Sequence, residues 1–145
     1  MIGYLAEEIK NIISENSFGY IGCNDGFNTY IYPTYYYYDG KFIICQGMYS
    51  PIIEVMRQNN RICFQIESNP ISPFRKSITV LGEFKEIKDI RQRFAAIKAF
   101  VERDLHLKAK RQLPPSIKMD EFFLNKENLP KPIIYSISID EVSGS

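Results

Sequence analysis

The sequence predicts an α+β fold that is mainly β: six antiparallel strands closed into a barrel, with helices inserted between and beside them. Three observations carry this. First, an alternating run, NTYIYPTYYYY, meets Asp39-Gly40 and is answered by KFIICQG, and Asp-Gly between two strand-like runs is a strong hairpin signal because the favoured tight turn needs positive φ at its centre. Second, glycines interrupt strand-like runs at Gly19, Gly22 and Gly82, which suits the bends and close backbone approaches of a curved sheet. Third, the strand runs do not alternate regularly with helices, so nothing calls for a parallel sheet.

The elements follow in order. Leu5, Ile9, Ile12 and Ile13 share one helical face, with Glu7, Glu8, Lys10 and Asn11 outside it, which predicts a first helix. FGYIGC reads as a strand, and Asn24-Asp25-Gly26 turns the chain into the hairpin. The connector SPIIEVMRQNN places Ile52, Ile53 and Met56 at helical spacing, with Ser50 at the N-cap position and Pro51 in the first turn, where proline is tolerated. Arg61 to Glu67 alternates as the next strand. Ser68 to Phe74 carries Pro70 and Pro73 and reads as irregular. Arg75 to Ile87 is long for one strand, and Gly82 at its middle predicts a bend around a barrel corner. Asp89 caps a long helix whose apolar face is read as Ile90, Phe94, Ile97, Val101 and Leu105. Lys108, Lys110 and Arg111 then form a basic cluster before Pro114-Pro115, read as solvated surface. Met119 to Leu124 suggests a further helical turn, and Ile133 to Val142 reads as one last strand.

Composition narrows the class. At 145 residues the chain is expected to form a single domain over residues 1–145. Lys+Arg of 18 against Asp+Glu of 17 leaves a formal charge of +1, which gives no field to attract a nucleic acid. The 3 cysteines, Cys23, Cys45 and Cys63, lie in separate apolar runs and read as core residues in a reducing compartment. Glu7 and Glu8 precede any apolar run, and no stretch approaches the roughly 18 apolar residues of a membrane span. A soluble cytoplasmic protein is expected, with no membrane and no nucleic-acid partner.

The common catalytic signatures are missing. There is no GxSxG, P-loop, HExxH or Rossmann glycine motif, and His106 is the 1 histidine, so a histidine-based triad or a multi-histidine metal site cannot form within one chain. His106 falls near the end of the long helix and reads as a surface or capping residue. Glu7-Glu8 and the Glu83, Glu86 pair sit in amphipathic or alternating runs and read as solvated faces. No metal site and no catalytic residue can be named. In Tyr35 to Tyr38, alternate side chains face opposite sides of a strand. One pair faces inward, either as core and interface packing or as the lining of a pocket for a flat aromatic ligand.

The order of these pieces resembles the FMN-binding split barrels of the pyridoxamine 5'-phosphate oxidase-like family, in its small nitroreductase-like and flavin-reductase-like members. Where that family reads roughly VPVNFVYDGDTIYFHSA, GxKxxxLxxNPRVxFEV and WxSVxxxGxxEEV, this chain reads YPTYYYYDGKFIICQGM, SPIIEVMRQNNRICFQIE and FRKSITVLGEFKEI, closing on IIYSISIDEVSG. The resemblance implies a split barrel that dimerises with an identical copy and holds FMN in clefts at the interface, with electrons from a nicotinamide or a protein donor. It places the isoalloxazine beside Tyr32, Pro33 and Thr34 and beside Cys45, Gln46 and Gly47. It places the phosphate near Ser50, Pro51 and Ile52, and it puts Lys76 and Ser77 close to the cofactor from one subunit or the other. A strand edge and a helix N-terminus are chemically suited to those tasks.

The chain departs from the family at defined points. Cys45 stands where the family often has His, and Ser50-Pro51-Ile52 replaces a basic phosphate clamp. Pro51 removes one N–H donor from the helix start. Arg57, Arg75 or Lys76 could supply the missing cation. The family's Trp has no counterpart, since the chain contains 0 Trp. The C-terminus SIDEVSGS offers none of the arginines and histidine that grip the substrate in true pyridoxamine phosphate oxidation. The sequence therefore leaves two expectations: a flavin-dependent oxidoreductase acting on a small molecule, or a non-catalytic dimer that binds flavin, heme or a deazaflavin, or has lost its cofactor.

Overall fold

The computed structural model describes residues 7–68, 76–109 and 132–144. Seven strands and three helices appear among them: α1 (Glu7–Glu15), β1 (Phe18–Asn24), β2 (Thr29–Tyr38), β3 (Ile43–Gly47), α2 (Pro51–Gln58), β4 (Arg61–Ser68), β5 (Lys76–Glu86), α3 (Ile90–Ala109), β6 (Ile133–Ile137) and β7 (Glu141–Gly144). The strand order is β4-β1-β2-β3-β6-β5-β7, and β4 also pairs with β5. That last pairing closes a six-stranded ring, every pair in it antiparallel, as the sequence predicts.

Closure depends on two long strands that change partners. β2 pairs with β1 over Thr29–Tyr35 and with β3 over Tyr36–Tyr38. β5 pairs with β4 over Lys76–Glu83, then with β6 over Phe84–Glu86. The ring is thus two half-sheets joined at two corners, which is what a strongly curved small barrel needs. At Gly82 a side chain would run into the Ser138 carbonyl, so the predicted bend is real and only glycine fits it.

The last strand differs from expectation. Ile133 to Val142 is not one run: β6 and β7 are separated at residues 138–140, and β6 is buried on both faces instead of alternating. One side of β6 faces the barrel and the other faces α3, which explains the continuous apolar run. β7 adds a seventh strand beside β5, over Ile78–Leu81.

Both hairpins use one device. Asp39 and Phe42 face each other, with the Asp39 N–H bonded to the Phe42 carbonyl at 3.2 Å, and Asp39 Oδ1 accepts the N–H groups of Lys41 and Phe42. Asp25 repeats this with Phe27 and Asn28. Gly26 and Gly40 carry the positive φ, 99° and 98°. The turn tip is therefore Gly40-Lys41, one residue beyond the predicted Asp39-Gly40, because the aspartate is worth more as an acceptor for two turn amides than at the tip itself.

The core has two parts. Inside the barrel, Ile21, Tyr36, Phe64, Ile66, Val80 and Ile137 pack with Ile12 and Ile13 of α1 and with Ile53 and Met56 of α2. Outside it, α3 covers Ile44 and Ile134 with Ala96 and Phe100. Asp89 caps α3 as predicted, accepting the Gln92 N–H at 3.0 Å. The predicted apolar face of α3 is not the buried one: Ile90 is 81% exposed, Phe94 65% and Leu105 58%, while Ala96, Phe100 and Asp104 are buried. The helix is rolled by roughly a quarter turn from that stripe. Small Ala96 lets it approach the sheet, the Phe100 ring meets Tyr37 at 4.8 Å, and Arg93 and Arg103 bond the carbonyls of Pro132, Ser14 and Asn16. Leu5, Pro70, Pro73, Lys110, Arg111, Pro114-Pro115 and Met119 to Leu124 lie outside the described residues.

Candidate functional site

The β2–β3 ladder ends at Tyr36 opposite Cys45, although both strands continue past it. Beyond that pair a gap opens between Tyr32–Thr34 on one side and Gln46-Gly47 on the other. Alternation within an antiparallel ladder decides which groups face it. The Tyr36 N–H bonds Ser17 on the β1 side, so Tyr36, Thr34 and Tyr32 turn their backbone toward β1, whereas Tyr35, Pro33 and Ile31 turn theirs toward the gap. Pro33 has no N–H to leave unpaired there, which is why a proline sits in this strand. Since Tyr37 pairs with Ile44, Gln46 also turns its backbone toward β2: its N–H closes the last rung on the Tyr35 carbonyl and its C=O faces the gap. The edges of the opening are thus main-chain donors and acceptors, held by the strands behind them.

Side chains build a floor beneath the gap. Thr34 and Cys45 are buried, and Tyr135 of β6, buried as well, stands opposite Cys45. Burial pushes the Cys45 thiol far above its usual pKa, and the Tyr135 phenol likewise, so both stay protonated and the thiol is no nucleophile. Around the mouth the side chains are apolar and open: Tyr32 is 42% exposed and Ile31 74%, with Met48 and Tyr49 exposed where β3 leads into α2. The Gln46 Oε1 is buried with no hydrogen-bond partner among the described residues, an acceptor of the kind a bound polar molecule would satisfy.

The sequence-predicted residues separate into groups. Tyr32, Pro33, Thr34, Cys45, Gln46 and Gly47 come together around the gap. Ser50, Pro51 and Ile52 follow within a few residues at the start of α2, where Ser50 takes the N-cap position with extended φ of −152° and makes no side-chain cap bond. Ile52 is half-buried against the barrel core. Lys76 and Ser77 are elsewhere: β5 stands three strands from β2 in either direction round the ring, and the Ser77 hydroxyl accepts from the Gln65 amide at 2.9 Å. Arg57 is also committed, bonding Glu86 at 2.8 Å and Glu54 at 3.4 Å. Tyr135 is the floor residue that the sequence reading missed. Its run, IIYSI, is apolar on both faces and gives no sign of which side meets the gap; only the register with Cys45 does so.

Tyr35 to Tyr38 are chiefly packing. Tyr36 is fully buried, donates to the Ile13 carbonyl at 2.7 Å and meets the Phe64 ring at 5.3 Å. Tyr37 lies under α3, and Tyr35 meets Phe18 on the outer surface. Among the described residues no cluster of His, Cys, Asp and Glu could hold a metal ion, and no helix is long and apolar enough to cross a membrane.

A barrel that closes at one corner and stays open at the other, with main-chain edges facing the opening, defines a split barrel. The sequence model of the pyridoxamine 5'-phosphate oxidase family matches residues 6–145, and the chain belongs to that family of FMN-binding split barrels. Solved structures share the fold. An FAD-binding protein from Mesorhizobium loti is 23% identical, covering 97% of this chain and 92% of that one, with a TM-score of 0.69. A heme storage protein from Vibrio cholerae is 10% identical over 99% and 94%, with a TM-score of 0.70. A flavocytochrome from Azotobacter vinelandii is 19% identical over 98% and 67%, also at 0.70. No curated protein matches the chain.

Proposed function

We propose that the chain binds FMN along the β2–β3 gap and serves as a flavin-dependent oxidoreductase toward a small molecule, working as a homodimer. The observation that carries this is the end of the β2–β3 ladder at Tyr36 and Cys45, which leaves parallel rows of main-chain donors and acceptors over a floor of Thr34, Cys45 and Tyr135. Such edges suit the alternating N and O atoms of an isoalloxazine, and when bound the flavin would supply the hydride or electron chemistry. The chain's own residues bind and orient. Tyr35, Pro33, Ile31 and Gln46 contribute backbone groups, Tyr32 offers a ring, and the buried Thr34 hydroxyl remains a neutral hydrogen-bonding group. The open apolar rim of Ile31, Tyr32, Met48 and Tyr49 favours a second copy as the other wall of the cleft. Lys76 and Ser77, distant within one chain, would enter the site from that copy.

On the floor of the gap neither Cys45 nor Tyr135 is a ready heme ligand, since heme iron takes a thiolate or a phenolate and both residues hold their protons. A second reading, a dimer that binds flavin without turning it over, is supported by the pairing of Arg57 with Glu86, which withholds the nearest cation on α2 from a phosphate.

The visible spectrum of the purified protein with an added-FMN titration tests both. A yellow complex bleached by NAD(P)H is expected from the oxidoreductase. A yellow complex inert to reductants supports the second reading, and failure to take up FMN overturns both. Ile52→Lys restores a cation at the α2 N-terminus and should tighten FMN about tenfold, by one charge-assisted bond.

A further inference from the structure

On the side of β3 opposite Cys45, under the first turns of α3, lies a cleft of about 810 Å³, within the range of small-molecule sites. Its floor is apolar, made by Ile44 and Ala96 with the rings of Tyr37 and Phe42 beside them. One hydroxyl interrupts that floor, Ser136, which is only 8% exposed. The cleft is separate from the β2–β3 gap and shares none of its lining residues.

The polar groups of the cleft divide by whether they already have partners. Each carboxylate already has at least one partner. Asp39 Oδ1 takes the turn amides of Lys41 and Phe42 at 2.8 and 2.6 Å, Asp89 Oδ2 takes the Gln92 amide at 3.0 Å, Glu83 meets Arg61 at 3.4 Å, and Glu86 meets Arg57 at 2.8 Å. Donors are open. Lys85 and Lys88 make no ion pair among the described residues, the Tyr37 hydroxyl makes no hydrogen bond there, and the Ser136 hydroxyl reaches the Lys85 carbonyl only at 3.5 Å. Burial, with the Asp39 charge second, pushes the Tyr37 phenol up to about 12, so it remains a donor at neutral pH. A cavity whose carboxylates are each engaged by a partner, while its lysines and hydroxyls are open over an apolar floor, is complementary to an acceptor-rich head on an apolar body.

We infer that this cleft binds a small amphipathic carboxylate, an aryl or medium-chain acid. Its body covers Ile44, Ala96 and Phe42, and its carboxylate accepts from Lys85 or Lys88 and from the Tyr37 and Ser136 hydroxyls.

Three probes of one shape test this by residue-resolved NMR titration of the full chain: 4-phenylbutyrate, 4-phenylbutylamine and 4-phenylbutanol. The acid should give saturable shifts at Ile44, Ala96 and Ser136 and bind about tenfold more tightly than the amine or the alcohol. The double variant Lys85→Gln, Lys88→Gln alters only exposed side chains. It should weaken the acid about tenfold and leave the alcohol unchanged. Ala95→Trp, at an exposed position on the rim, should block all three probes. The inference is overturned if the amine binds as well as the acid, if shifts centre on Thr34 and Cys45 instead, if no probe saturates, or if Ala95→Trp binds like the parent chain.

Discussion

β2 and β5 do the same topological work and are finished in opposite ways. Each leaves one half-sheet and joins the other, β2 at Tyr35-Tyr36 and β5 at Glu83-Phe84, next to Gly82. The β5 corner is sealed: the Ser138 carbonyl packs over Gly82, the Glu83 N–H bonds the Ser138 hydroxyl at 2.9 Å, and the Ser138 and Asp140 amides bond back to Glu83 and Leu81 at 3.1 and 2.9 Å. The β2 corner is open: past Cys45 the neighbouring strand gives no further pairing, and backbone groups face the gap. One corner supplies closure and the other supplies a binding edge, so mutations at the two should separate stability from ligand affinity.

The largest effect is expected where the open corner rests on the core. Tyr36→Ala removes a fully buried ring from the strand that switches sheets and should cost about 3–5 kcal/mol in urea unfolding. Gly82→Ala forces a methyl group against a backbone carbonyl that cannot rotate away and should cost about 1–3 kcal/mol. If Gly82→Ala were neutral, the corner would not be sealed as described. Tyr36→Phe keeps the ring but strands the Ile13 carbonyl, for about 1 kcal/mol. Tyr32→Ala should change stability by less than about 0.5 kcal/mol while weakening FMN uptake. Equal losses of stability from Tyr32→Ala and Tyr36→Ala would erase the distinction between the two halves of β2.

Alkaline titration gives a gentler probe of the same strand. The Tyr37 phenol is raised from 10.0 to about 12, so its contribution is complete below pH 10 and is lost as pH rises toward 12, where the unfolded chain has already released its proton. Stability should therefore fall over that window, and less so in Tyr37→Phe. Tyrosinate absorbance followed at 295 nm would show the step.

Much of this was legible beforehand because local chemistry decided it. Asp-Gly pairs announced both hairpins, alternation announced the strands, Asp89 announced its helix, and Gly82 announced a corner, since each reflects a steric or hydrogen-bonding demand within a few residues. The order of these pieces also carried the family. The buried face of α3 was not legible: Ile90, Phe94 and Leu105 made a good stripe, yet the sheet it meets offered a place for Ala96 and Phe100, with Arg93 and Arg103 fixing the roll. Tyr135 escaped for a similar reason, because a strand buried on both faces has no periodicity to show which side meets a gap.

The amino-acid order by itself determined the elements, their turns and the antiparallel class, because φ preferences, alternation and capping act over a few neighbouring residues. Only the tertiary structure decided which corner seals and which stays open, which face of α3 is covered, and which tyrosine joins Thr34 and Cys45. Those depend on strand register and on packing between residues as far apart as Gly82 and Ser138, whose mutual fit no local preference encodes.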